Sequence, residues 1–178
     1  LYDAVIDVFI DLYNKGLIYR GTKMVNWDPA GQTTLSDEEV IFKDTQDQLF
    51  TVIYKGVDFD GELMVATARP ETIAGDVAVC VNPNDDRYKD FVGKKVIVPL
   101  IGREISIISD DYIDIEFGTG VLKVTPAHDI NDYNIGLKYN LPVIDTLNAD
   151  GTISAAGELF VGEDRFVARK MWVKRLKE

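Results

Sequence analysis

The chain has 178 residues, 46% of them hydrophobic, which is enough for one sizeable domain with its own core. Lys and Arg total 19 against 30 Asp and Glu, a formal charge of −11, and this balance argues against a protein that grips a long nucleic-acid backbone by itself. A single Cys and a single His exclude a disulfide framework and argue against a structural zinc site from this chain alone.

In chain order, Leu1, Val5, Val8 and Leu12 follow helical spacing and Gly16 supplies a stop, so the spacing predicts an N-terminal helix. Seven strands are predicted next, separated by Gly, Pro, Asn and Asp: 48–55, 62–67, 76–81, 95–100, 104–108, 120–125 and 142–145. Short strands at that spacing favour a closed or partly closed barrel. Cys80 sits inside the apolar run VAVCV and reads as a buried thiol of a reducing compartment. Turns are predicted after Pro70 and over 84–90, and a helix from about 131 to 139. NAD at 148–150 before Gly151 reads as a turn, and DRFVARKMWVKRLKE as a final helix with Phe166, Met171 and Leu176 as apolar contacts. The fold class is therefore mainly β with α decoration (α+β). A β-barrel is expected over 46–160, between a connecting segment with a helix and short strands over 1–45 and a connecting helix over 161–178. No stretch reaches the roughly 20 apolar residues of a membrane span, and no basic start leads into an apolar segment. The expected location is the cytoplasm, without membrane contact, and both ends read as cut from something longer.

Two segments concentrate charge, hydroxyls and backbone punctuation: ATARPET at 66–72 and KVTPAHDINDY at 123–133. Asp129 and Asp132 are three apart, so on a helix both carboxylates lie on one face and suit an ammonium group. Asp is also among the best N-cap residues, and capping explains Asp129 as well as function does. It explains Asp132 less well, because a second acid inside the first turn gains only a few tenths of a kcal/mol from the helix dipole. His128 beside an acid suggests a nucleophilic triad, but no activated Ser or Cys partner stands out, and a hydrogen-bonded structural role is the usual fate of a lone His. Lys123 alternates with Leu122 and Val124, which places it on the solvent face or at the barrel mouth, the former being commoner. Pro70 fixes the chain where a strand gives way to a turn. Thr67 and Arg69 project before it, on the same side by alternation, and Glu71 and Thr72 follow it. Arg69 suits a surface ion pair or a phosphate or ribose contact. FGTG at 117–120 permits close backbone approach to a ligand, and a plain tight turn explains it equally.

The joint order of ATARPET, GDVAVCVNPNDDRY, VPLIGREISII and DYIDIEFGTGVLKVTPAHDINDY, with NWDP and LSDEEV upstream, resembles the editing insertion of class I valyl-tRNA synthetases. The resemblance covers nearly the whole chain. Isoleucyl and leucyl relatives share the domain, while the RPET form and the GD-AV-VNP stretch look most like the valyl family. It implies a proofreading hydrolase acting on the ester of threonyl-tRNA(Val), with the 3' end of the mischarged tRNA and the remainder of a monomeric parent synthetase as partners. The synthetic half, with its ATP and Mg2+, is missing, since the histidines of the ATP signature and a KMSKS-like loop do not occur, so no cofactor is expected in this domain. A synthetic pocket shaped for valine rejects threonine poorly because a hydrophobic pocket cannot exclude an isostere that only adds a hydroxyl, a limitation established for valyl enzymes themselves.

By residue, the resemblance implies that Asp132, with Asp129, anchors the α-ammonium. Lys123 and Asp129 are available to the threonine hydroxyl. Thr67, Arg69, Glu71 and Thr72 belong to the segment that lines the pocket and holds the terminal adenosine, Phe117 shapes a wall, and His128 orients the ester or water. One departure is visible: Ala68 stands where the family pattern has a second Thr, losing a hydroxyl. The alternatives are a non-catalytic module that binds an amino acid or the tRNA end, and the editing domain of an isoleucyl-type enzyme.

Overall fold

The structure, a computed structural model, describes residues 2–57 and 59–178, so Leu1 of the predicted first helix lies outside the described residues. Helix α1 (Tyr2–Asn14) carries Tyr2, Val5, Ile6, Phe9 and Tyr13 at helical spacing, with Asp3, Asp7 and Asp11 on the opposite face. Gly16 ends it at φ +70°, the left-handed conformation that glycine adopts without strain. No residue of α1 is buried. A hairpin of β1 (Asn26–Asp28) and β2 (Thr33–Leu35) follows.

Six further strands make one sheet: β3 (Phe50–Gly56), β4 (Glu62–Thr67), β5 (Ala78–Val81), β6 (Lys95–Ile97), β7 (Glu104–Ser109) and β8 (Val121–Val124). Their order is β4-β3-β6-β7-β5-β8, and only β5 and β7 run parallel. The two ends of that order, β4 and β8, come into contact without a hydrogen-bonded ladder between them. The sheet is thus a nearly closed barrel with one unpaired seam.

Alternation explains what each face buries. Val52 and Tyr54 of β3 and Leu63 and Val65 of β4 point inward, with Val79, Val81, Val96, Ile105 and Ile107 from neighbouring strands. Every residue of β5 is buried, because the strand is covered on both sides. Val79 and Val81 face the barrel interior, while Ala78 and Cys80 face a second cluster with Ile113, Val124 and Ile135 of helix α2 (Ile130–Tyr139). Burial pushes the Cys80 thiol up to about 12, so it stays a neutral, packed group.

Two expectations are corrected. No strand forms over 142–145, where Pro142 lacks a ladder donor; past it the chain makes only isolated bridges, Leu147 with Ile153 and Thr152 with Asp164. In the last helix, α3 (Arg165–Leu176), the inward face is Ala168 and Trp172, while Phe166 is exposed and Leu176 packs at the margin of the core. Trp172 is the largest fully buried side chain and meets Phe160 edge-on at 6.1 Å.

Candidate active site

The two motif segments meet at the barrel seam. ATARPET runs off the end of β4 into a 3-10 turn (Pro70–Gly75) whose six residues are all buried, with Pro70 at its start. KVTPAHDINDY begins on β8, turns over 126–128 and enters α2. Gly75 lets the segments approach: a Cβ there would stand 2.9 Å from the Ile144 carbonyl and 3.0 Å from the Thr125 methyl.

Lys123 is 7% exposed, inside the barrel rather than on the solvent face. The register decides this, since Lys123 pairs with Val79, an inward residue of β5. Its Nζ donates to Thr72 Oγ1 at 2.9 Å, Asp76 Oδ1 at 3.0 Å and Thr125 Oγ1 at 2.5 Å, which uses all three ammonium protons. The Thr125 hydroxyl donates to Asp76 Oδ1 at 2.6 Å, and the Tyr54 hydroxyl donates to Asp76 Oδ2 at 2.5 Å. Burial, and then the Asp76 charge, hold the Tyr54 hydroxyl well above its ordinary range, so it remains a donor. A charge pair so far from water persists because each oxygen and proton has a partner.

Asp129 and Asp132 have different environments. Asp129 is exposed and caps α2, its Oδ1 accepting from the backbone N–H of Asn131 at 2.8 Å and of Asp132 at 3.2 Å. Asp132, 6% exposed, turns back under the loop and accepts from the Thr125 N–H at 2.8 Å through Oδ2. Burial raises its carboxyl from 3.8 to about 6, against the Thr125 hydrogen bond and the Lys123 charge, which lower it.

His128 is a ring held from one side. Its Nε2 accepts from the Thr146 N–H at 3.1 Å and lies 2.7 Å from the Thr146 hydroxyl. An N–H can only donate, so Nε2 is unprotonated and the neutral ring carries its proton on Nδ1. Burial lowers its pKa to about 4, so the ring is neutral at pH 7.

The remaining predicted residues divide. Arg69 staples the two segments through Nη1 to the His128 carbonyl at 2.8 Å, and its half-exposed head lies 3.7 Å from Glu71. Thr67 is buried and accepts from the Arg69 N–H, so Thr67 and Arg69 do not share one face: the extended geometry ends at Thr67. Thr72 is buried and donates to the Arg69 carbonyl at 2.9 Å. The Glu71 carboxylate is enclosed by Arg169 and presents no free oxygen to a ligand. Phe117 is 77% exposed on a tight turn, and glycine is favoured there because Gly120 has φ +73° and a Cβ on it would stand 3.0 Å from the Ile115 carbonyl. Tyr54, Asp76, Thr125, Thr146 and Arg169 were not singled out by the sequence reading. For Thr125 and Tyr54 a signal existed, since each alternates with an inward residue of its strand; for Thr146 none did.

Beside the seam lies a cleft of about 1170 Å3, bounded by Lys23, Trp27, Arg69, His128, Asp129 and Arg165 among others. Trp27 of β1 is tied across it by a 2.8 Å hydrogen bond from Nε1 to the Ala149 carbonyl, and the Tyr133 hydroxyl donates to the Thr22 carbonyl at 2.7 Å. The site thus combines a buried, fully paired polar cluster, a buried acid that titrates near neutrality, and an open cleft with cations and an aromatic ring on its walls.

Comparison with known proteins identifies the family and the fold. The chain is 62% identical over 168 residues to the valine–tRNA ligase of Parabacteroides distasonis, covering 94% of this chain and 19% of that protein. It is 51% identical over 177 residues to the valine–tRNA ligase of Staphylococcus haemolyticus, covering 99% and 20%. The chain therefore spans about a fifth of the length of the curated relatives it matches. In fold it is similar to a leucyl-tRNA synthetase (LeuRS) of Agrobacterium radiobacter K84, solved as a ternary complex with tRNA and LeuAMS. That match has a TM-score of 0.61 at 21% identity and covers 96% of this chain and 30% of that one. It is also similar to GlLeuRS-CP1, with a TM-score of 0.53 at 14% identity, covering 73% of this chain and 94% of that one. The model for tRNA synthetases class I (I, L, M and V) matches residues 1–178, and the chain belongs to that family.

Proposed function

We propose that this chain is the proofreading module of a valyl-tRNA synthetase and that it hydrolyses the ester of threonyl-tRNA(Val). The observation that carries the reading is Asp132: a buried acid in the first turn of α2, one oxygen on the Thr125 N–H, its pKa near 6, at the junction of the two motif segments. An α-ammonium arriving beside it favours the ionised form and gains a charge-assisted hydrogen bond. Asp129, on the cleft wall with its Oδ2 outside the cap, supplies a second acceptor for the ammonium or for water.

The seam beside the cleft is polar where a valine-binding pocket is apolar. Because Lys123 has its three protons committed, it acts on a threonine hydroxyl through the Thr72 and Thr125 hydroxyls that it orients. Each of those hydroxyls keeps one lone pair for a threonine O–H, a contact of about 0.5 to 1.5 kcal/mol that valine cannot make. The reaction adds one water to the ester carbonyl and breaks the bond to the ribose oxygen, which leaves with a proton as the tRNA hydroxyl. An aminoacyl ester is already reactive, so positioning the water suffices and no covalent intermediate is needed. His128, neutral and bound to Thr146 through Nε2, supports the loop between Thr125 and Asp129 rather than taking the proton. Arg69 and the cleft receive the terminal adenosine, while Phe117 does not line the cleft and has no part in this reading. ATP and Mg2+ belong to the synthetic half of the parent enzyme, which we take to be a cytoplasmic monomer.

The test is deacylation of threonyl-tRNA(Val) by the full-length synthetase with Asp132→Asn, which keeps an acceptor for the Thr125 N–H but no charge. The loss of one charge-assisted contact lowers the rate on the order of ten- to a hundredfold. A wild-type rate would remove Asp132 from its assigned role.

A further inference from the structure

Below the site lies an ion chain whose inner members, Arg169 and Glu71, the reaction just proposed does not use. Arg169 of α3 forms a two-point fork with Glu71 of the 3-10 turn, Nε to Oε2 at 2.8 Å and Nη2 to Oε1 at 2.8 Å. The Glu71 side chain is 1% exposed. Its Oε1 also lies 3.7 Å from Arg69 Nε, and Arg69 Nη1 reaches the His128 carbonyl. The remaining nitrogen of Arg169, Nη1, meets Asp47 in the segment that enters the barrel, at 3.1 Å.

Glu71 is therefore shared unequally between two guanidiniums. Arg169 takes it with full hydrogen bonds, and Arg69 is left with a long contact and a head free enough to line the cleft. Without Arg169, the buried carboxylate would have Arg69 as its nearest cation, and a buried charge cannot stay unpaired. Arg69 would close onto Glu71 and leave both the His128 carbonyl and the cleft.

We infer that Arg169 and Glu71 are positioning residues for Arg69: the fork from α3 occupies the Glu71 carboxylate so that the Arg69 guanidinium stays presented to the ligand in the cleft. The inference rests on the reading that Arg69 meets the terminal nucleotide. It also assigns α3 and the entering segment at Asp47 a part in shaping the site, since both converge on one side chain.

The experiment is a double-mutant cycle in the full-length synthetase. Binding of adenosine carrying threonine through a non-hydrolysable amide on its ribose is measured for the wild type, Arg69→Ala, Arg169→Ala and the double variant. Arg169→Ala weakens binding about tenfold, within the coupling range of residues sharing one ion-pair network, and the double variant binds no worse than Arg69→Ala alone. Arg169→Lys, which keeps the charge but loses the fork, falls between wild type and Arg169→Ala and serves if the alanine variant does not fold. Losses that multiply in the double variant would mark Arg169 as a general support of the fold and overturn the inference, as would wild-type affinity in Arg169→Ala or Arg169→Lys. Threonyl-tRNA(Val) hydrolysis measured on the same proteins separates the two readings: a wild type that binds the amide but leaves the ester intact refutes the proofreading function while the cycle still decides the coupling.

Discussion

The barrel seam and helix α1 are opposites. At the seam, polar side chains are buried and nearly every donor and acceptor has a partner within the chain, whereas along α1 apolar side chains such as Val5, Phe9 and Tyr13 remain exposed and touch no core. A buried polar cluster is costly unless complete, so its completeness marks a region whose structure the chain determines alone. An apolar helical face in water gains nothing from tertiary packing, and a helix of 13 residues is marginal in isolation. The contrast teaches which part of the molecule is self-sufficient and which draws nothing from packing within this chain.

The sharpest way to break this comparison is Lys123→Met. Removing the cation leaves the Asp76 carboxylate buried with only hydroxyl donors, and the barrel should lose about 3 to 5 kcal/mol. Chemical denaturation measures it; a loss below 1 kcal/mol would mean that the cluster is less dry than its geometry indicates.

Next in size is a reversal with pH. Asp132 has a folded pKa of about 6, above its unfolded value, so the native state binds the extra proton and stability rises as pH falls from 6 towards 4. His128 has a folded pKa of about 4, below its unfolded value of 6.5, so stability falls over the same window as the unfolded ring gains its proton first. Each effect is worth about 2 to 3 kcal/mol across the window, and in the wild type they oppose one another. Asp132→Asn should therefore lose stability between pH 6.5 and 4.5 more steeply than wild type, and His128→Gln should gain relative to it. Identical pH profiles for the three proteins would show that neither group is held as its burial requires.

Two smaller effects sharpen the contrast. Asp129→Ala removes the α2 cap and should cost about 1 kcal/mol, far less than Lys123→Met, because Asp129 is solvated. Phe9→Ser on α1 should change the unfolding midpoint by no more than about 0.5 kcal/mol, since the ring leaves no cavity. A large loss there would show that α1 packs in solution against a surface that it does not touch in this structure.

Much of this was legible in the sequence. VAVCV indicated a strand with a buried thiol, Pro70 a turn after β4, and Gly16 and Asp129 the helix boundaries, because each rests on local composition, backbone sterics or local hydrogen bonding that needs no distant partner. The order of the motifs pointed to the family. The inward face of α3 was misjudged, since Phe166 and Trp172 lie on different sides of that helix and only the packing against the barrel selects between them. The strand expected over 142–145 failed because the chain past Pro142 is held instead by Thr146 on His128.

What the sequence determined by itself was most of the elements, their punctuation and the two segments that meet at the seam, all consequences of short-range chemistry. Only the tertiary structure decided that Lys123 faces inward through its register with Val79, that Asp76 and Tyr54 complete its shell, and that Glu71 belongs to Arg169 across 98 residues. Those choices depend on which strand edges meet at the seam and which charges are left without water there, and neither is encoded in the spacing of any one segment.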